Sequence, residues 1–113
     1  MVRIALPHPQ NQNWWSPNTD VYVSEEGHLV IEFELAAIQE EDLELTVDAN
    51  RITIRGERSD GGRRQRCQYL VKELHYGAFE SAIEVPLDHD PAQAKSEYRN
   101  GIFRIDLPRK RER

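Results

Sequence analysis

Apolar and polar residues alternate with a period of two in five runs along this chain. Over 29–35, Leu29, Ile31, Phe33 and Leu35 fall on one face and Glu32 and Glu34 on the other, because successive side chains of a strand point to opposite faces. The same alternation places Leu43, Leu45 and Val47 against Glu44, Thr46 and Asp48, and Ile52 and Ile54 against Arg51, Thr53 and Arg55. It returns in Phe79, Ile83 and Val85, and in Phe103, Ile105 and Leu107 against Arg104 and Asp106. Each run predicts a half-buried antiparallel strand. Asp48-Ala49-Asn50 has the length of a tight hairpin, and Asn100-Gly101 predicts a type I′ turn, which needs positive φ at both central residues. That turn should join a strand over 94–98 to one over 102–107. Pro86, Pro91 and Pro108 each close a run, where no further ladder hydrogen bond is needed. Only 38–42 and 91–95 could host a helical turn. Seven to nine short strands without a long helix predict an all-β, immunoglobulin-like antiparallel β-sandwich.

The 113 residues suit one domain, divided here into an irregular N-terminal arm (1–16), the sandwich (17–108) and a short basic tail (109–113). Apolar residues are 38% and charged residues 31%, polar for a globular domain but not disordered. No apolar stretch approaches the roughly 18 residues of a membrane span, and 1–6 does not resemble a secretory signal. A cytoplasmic protein without a membrane partner is expected. Cys67 is the one cysteine, so no internal disulfide staples the fold. The net charge of -5 conceals two blocks: ten acidic residues and no Lys or Arg over 20–48, then seven basic residues against Glu57 and Asp60 over 51–72. Such blocks are commonly solvated faces; the sharper reading is that one docks on the other.

Trp15-Ser16-Pro17-Asn18-Thr19-Asp20, Glu41-Asp42-Leu43, Ile52-Thr53-Ile54-Arg55-Gly56-Glu57-Arg58, Tyr76-Gly77-Ala78-Phe79, Asn100-Gly101-Ile102-Phe103 and Leu107-Pro108-Arg109 follow one another in order. This set resembles the alpha-crystallin domain of the small heat shock protein family over about 15–109. The resemblance implies an ATP-independent chaperone, not an enzyme, that binds non-native client proteins and itself, as a homodimer or a larger oligomer, with no cofactor. It implies a dimer interface in which 67–70 crosses to the first sandwich strand of a partner, involving Asp20, Val21, Tyr22, Arg64, Arg66, Cys67, Gln68, Tyr69 and Leu70. The charge blocks agree, since Arg63, Arg64 and Arg66 would meet Asp20, Glu25 and Glu26. It also implies a client or peptide groove at Leu43, Leu45, Val47, Ala94, Ser96 and Tyr98, although alternation alone also reads the first three as core. Departures are Leu35-Ala36-Ala37 for Leu-Pro-Gly, Leu74 for the usual Arg after Glu73, and Ser81 for an interface Arg. The tail lacks Ile-x-Ile, which argues against large shells; Val2-Arg3-Ile4 has the spacing of a substitute plug.

His8, His28, His75 and His89 show no ligand spacing, so no metal site is expected and surface positions are the better reading. Ser59, Ser81 and Ser96 lack a motif bringing a base beside them. Residues 59–66 predict an exposed loop beside Cys67, read as an inert free thiol. Trp14 and Trp15 should pack over the mouth of the sandwich. Nucleic acid is not an expected partner, because the basic clusters lack interleaved aromatics. The alternative reading is a monomeric cochaperone or scaffold sandwich that binds one folded partner.

Overall fold

A computed structural model describes residues 3–5 and 14–111 of the chain. Eight strands lie among these residues: β1 (Arg3–Ala5), β2 (Thr19–Val23), β3 (Leu29–Glu34), β4 (Leu43–Asp48), β5 (Arg51–Arg58), β6 (Gly77–Glu84), β7 (Lys95–Arg99) and β8 (Ile102–Leu107). They form two antiparallel sheets in the orders β1-β6-β5-β4 and β2-β3-β8-β7. The architecture is the expected all-β sandwich. Its short 3-10 turns include Glu40–Asp42 and Pro91–Gln93, in the two places the sequence allows, and the strand after the second starts at Lys95.

Registers show why the alternation works. Val21, Ile31 and Ile105 oppose one another across one sheet, as do Val47, Ile52 and Ile83 across the other. Phe33, Phe79, Leu35, Ile52, Ile54, Ile83 and Ile105 are completely buried, each stabilising the fold by about 1.5–3 kcal/mol. The outer face of β4-β5-β6 is polar and patterned: Glu44 opposes Arg55, which opposes Glu80, and Asp48 opposes Arg51, which opposes Glu84. Arg55 Nε donates to Glu80 Oε2 at 2.5 Å, compensating a carboxylate that is almost buried.

Gly56 faces the core between Leu43 and Phe79, and the Phe79 ring occupies the space above it. A Cβ there would stand 2.6 Å from Phe79 Cζ and 2.8 Å from the Asp42 carbonyl oxygen. Asn100 and Gly101, with φ of 55° and 79°, make the predicted type I′ turn. Ala49 and Ala37 also have positive φ, 55° and 60°; Ala37 sits in the turn where the family resemblance expects glycine.

Three readings need correction. In the segment read as an irregular arm, Arg3–Ala5 pairs with Ala82, Ile83 and Glu84 of β6. Arg3 and Ile4 thus pair with β6 in this chain; Val2 lies outside the described residues. The loop over 59–66 is exposed as expected, but Arg63–Gln65 within it is a 3-10 turn, outside the two places expected to host one, with Asp60 accepting hydrogen bonds from the backbone N–H of Gly62 and Arg64. His89 is buried at 4% exposure and not on the surface. Its ring has polar partners inside, Gly27 O at 3.0 Å from Nε2 and Asp88 Oδ1 at 3.1 Å from Nδ1. His8 lies outside the described residues.

Candidate functional site

An edge strand leaves one row of backbone N–H and C=O groups unpaired, and a protein either blocks that row or uses it. Here β6 is blocked. Besides β1, Trp15 bridges to Phe79 in parallel, its N–H bonding Ala78 O and its own carbonyl accepting from Glu80 N–H. Trp15 Nε1 and Ser16 Oγ add bonds to the Gly77 and Glu80 carbonyls. Trp15 and Ser16 lead directly into β2, so the rim at β2 lies beside β6. The rims at β4 and β7 consequently fall together on the opposite side of the sandwich.

Among the described residues both opposite rims are bare: β4 pairs only with β5, and β7 only with β8. Leu43 and Leu45 share the face of Gly56 and Ile54 and are half-buried, while Val47, opposite Ile52, stays 44% exposed. On β7, Tyr98 opposes Phe103 and Ser96 opposes Ile105; Tyr98 and Ala94 pack half-buried against the core, and Ser96 is exposed. Tyr98 Oη donates to the Leu35 carbonyl at 2.5 Å. All six expected groove residues thus lie along one side of the sandwich, facing the core but incompletely covered.

The expected interface residues lie on two other elements. Asp20, Val21 and Tyr22 are on β2, which among the described residues pairs only with β3, Asp20 and Tyr22 exposed and Val21 half-buried. Arg64, Arg66, Cys67, Gln68 and Leu70 are exposed on the connection between β5 and β6, with Tyr69 half-buried among them. The start of this connection is ordered. Arg58 Nε donates to the His75 carbonyl at 2.8 Å, with its guanidinium 4.5 Å from the Trp15 ring centre and 5.5 Å from that of Tyr76. Arg63 lies 5.1 Å from the Tyr76 ring, and Trp15 stacks on His75 and packs against Phe79. Each cation over a ring contributes about 0.5–1 kcal/mol at an exposed site. Basic residues are thus interleaved with aromatics here, but the rings already carry this chain's own cations. The Asp60 carboxyl is held below the usual range, chiefly by the Gly62 N–H.

Beyond Arg66 the connection takes up no strand pairing until Gly77. Leu70, Val71 and Leu74 are 92%, 74% and 65% exposed, and Cys67 is exposed as expected. Val71 and Leu74 were absent from the expected interface; the signal available was a cluster of apolar residues with no alternating core face. Trp15 lies along the edge of β6, against Phe79 and His75. Arg58 was not foreseen as a clasp, since nothing sequential links it to residues 15 and 76. Among the described residues, no helix is long and apolar enough to cross a membrane.

The sequence matches the model of the Hsp20/alpha crystallin family over residues 21–113. It is 31% identical over 113 residues to small heat shock protein C4 of Rickettsia felis, covering 99% of this chain and 68% of that protein. Small heat shock protein C2 of the same organism is 27% identical over 96 residues, covering 85% of this chain and 62% of that protein, less than two thirds of its length. Among solved structures, hspA of Xanthomonas axonopodis superposes with a TM-score of 0.75 at 26% identity, covering 85% of this chain and 95% of that one. A small heat-shock protein from Xylella fastidiosa shares the fold with a TM-score of 0.77 at 23% identity, over 88% and 90% of the two chains.

Proposed function

The chain belongs to the Hsp20/alpha crystallin family of small heat shock proteins, chaperones, and we propose that it acts as an ATP-independent holdase whose working parts are its open strand rims. Unfolding proteins expose apolar segments and unpaired backbone together. The rims at β4 and β7 offer complements to both: free N–H and C=O groups, and the partly covered Leu43, Leu45, Val47, Ala94 and Tyr98 with Ser96 between them. Covering a client there slows its aggregation without bond chemistry, so no nucleotide enters. The cytoplasm is the compartment this reading assigns.

The observation that carries the reading is the connection after Arg66. It combines exposed Leu70, Val71 and Leu74 with backbone that finds no strand partner among the described residues. In a homodimer, residues 67–70 would add to the bare rim of the partner's β2, bringing Arg64 and Arg66 toward its Asp20. Backbone pairing would supply affinity and the charge blocks would supply register.

Two measurements test this. A heat-denatured client is incubated with the chain in the absence of nucleotide and followed by light scattering; undiminished scattering at a molar excess of the chain removes the holdase. Sedimentation as a function of concentration should show a dimer or larger assembly, weakening as salt rises toward about 1 M, where the screening length falls to ~3 Å. A monomer at every concentration would instead favour a module that binds one folded partner.

A further inference from the structure

We propose that the β4 rim selects among client segments by charge, preferring apolar segments flanked by Lys or Arg over those flanked by neutral or acidic residues. This rests on the reading of the β4 and β7 side as the client groove and specifies what that groove takes.

The argument starts from the composition of β4 and its approach. Glu40, Glu41, Asp42, Glu44 and Asp48 all lie within nine positions, all are exposed, and no Lys or Arg falls among them. None of the five takes part in an ion pair among the described residues. Glu40–Asp42 form a 3-10 turn that buries no side chain, so these carboxylates stand beside the start of the bare edge. The nearest cations on the sheet are one strand further in. Arg51 lies opposite Asp48, between it and Glu84, and Arg55 lies opposite Glu44 but is bonded to Glu80.

Distance decides which charges an occupant feels. A segment added to β4 lies about 4.8 Å from it and ~10 Å from β5, and facing sheets are also ~10 Å apart. The screening length at physiological salt is about 8 Å. Lys95, Glu97 and Arg99 on β7 are a mixed set with one net positive charge, attenuated at that distance. The acidic bank of β4 therefore dominates the field along the added strand. Its apolar inward face requires an apolar core in the occupant, and the five carboxylates favour cations at the ends.

Exposed charge pairs each change affinity by a factor of roughly 1.5–5. A peptide with two lysines flanking its core should therefore bind about fivefold tighter than a serine-flanked one, and a glutamate-flanked one about fivefold weaker. The test uses fluorescent peptides with the core Ile-Thr-Val-Thr-Ile and Lys, Ser or Glu flanks, titrated with the full chain and read by anisotropy at low and high salt. The expected order is Lys, Ser, Glu, converging as salt rises. A chain carrying Glu41→Gln, Glu44→Gln and Asp48→Asn, on exposed positions, should narrow the spread among the three peptides, its melting curve reporting that the fold is kept. Equal affinities for the three peptides would overturn the charge selection and leave the groove standing. No binding by any would overturn the groove reading and this inference with it. A lysine-flanked Ser-Thr-Ser-Thr-Ser control that binds as well, or a preference undiminished by the triple substitution, would assign the attraction to the chain's general negative charge and overturn the rim as its source.

Discussion

Replacing Gly56 by alanine adds one methyl group at a point where neighbours on two sides are already in place. The new Cβ would meet Phe79 Cζ at 2.6 Å and the Asp42 carbonyl oxygen at 2.8 Å. The ring can tilt, but it is fully buried and packs on Trp15 at a centroid distance of 5.0 Å. The carbonyl cannot move without shifting the turn that starts β4. Overpacking a well-filled core costs about 1–3 kcal/mol, and a clash with backbone belongs at the upper end, near 3 kcal/mol. At about 4 °C per kcal/mol for a 113-residue chain, Gly56→Ala should lower the melting temperature by ~12 °C. Urea and thermal unfolding, at matched protein concentration because association shifts both, give the number. Phe79→Leu separates the two contacts: it removes the ring atom, so Gly56→Ala made in that background should cost about 1 kcal/mol less than in the parent. A melting temperature unchanged by Gly56→Ala, or strict additivity of the two substitutions, would refute the packing argument.

Other outcomes follow from the same coordinates. Ala49→Gly relieves a φ of 55°, which costs an L-residue about 1–2 kcal/mol, against ~0.4–1 kcal/mol of glycine chain entropy; a net gain of roughly 0.5 kcal/mol in urea unfolding is expected, and a loss would show that the turn is unstrained. Arg55→Ala should destabilise by about 1–2 kcal/mol, near the lower end for charge-assisted bonds because the arginine is half exposed, and Glu80→Gln, which retains an acceptor, should cost less. Leu70→Asp should weaken the dimer at least tenfold in sedimentation while leaving the melting of a dilute sample unchanged, since Leu70 touches no core. Asp60, its pKa held down first by the Gly62 N–H, keeps the loop ordered above the usual carboxylate range and releases it as pH falls through the depressed value; the Gly62 amide resonance should shift in that acidic window and be insensitive near neutrality.

The sandwich was legible because its code is local. Strands β3, β4, β5 and β8 each carry an apolar face with a polar face behind it, and Asn100-Gly101 is a turn that few other pairs can make. Gly56 belongs to a recognisable motif, but its reason, the Phe79 ring, comes from a strand more than twenty residues away. What was not legible depends on such distant partners. Trp15 bridges to Phe79 and Arg3–Ala5 to Ala82–Glu84 without any alternation of their own to announce it. His89 carries no buried signature in sequence; the Gly27 carbonyl and Asp88 carboxylate create one. The six residues on the β4 and β7 side could be named from resemblance, whereas their half-covered state follows from where two sheets end. The clasp of Arg58 between Trp15 and Tyr76 joins three segments that are unrelated along the chain.

The rows Glu44–Arg55–Glu80 and Asp48–Arg51–Glu84 on the outer face give the sheet a charge register beside its apolar one. A strand misaligned by one position turns its oily side to water and is rejected at once. A misalignment by two passes that inspection, because every oily residue still faces inward. It would, however, set Glu44 or Asp48 against Thr53 and strand an arginine beside Thr46, with like charges brought together elsewhere along the ladder. The surface of this sheet thereby adds a second check on a slip by two to the one that Gly56 and Phe79 make inside.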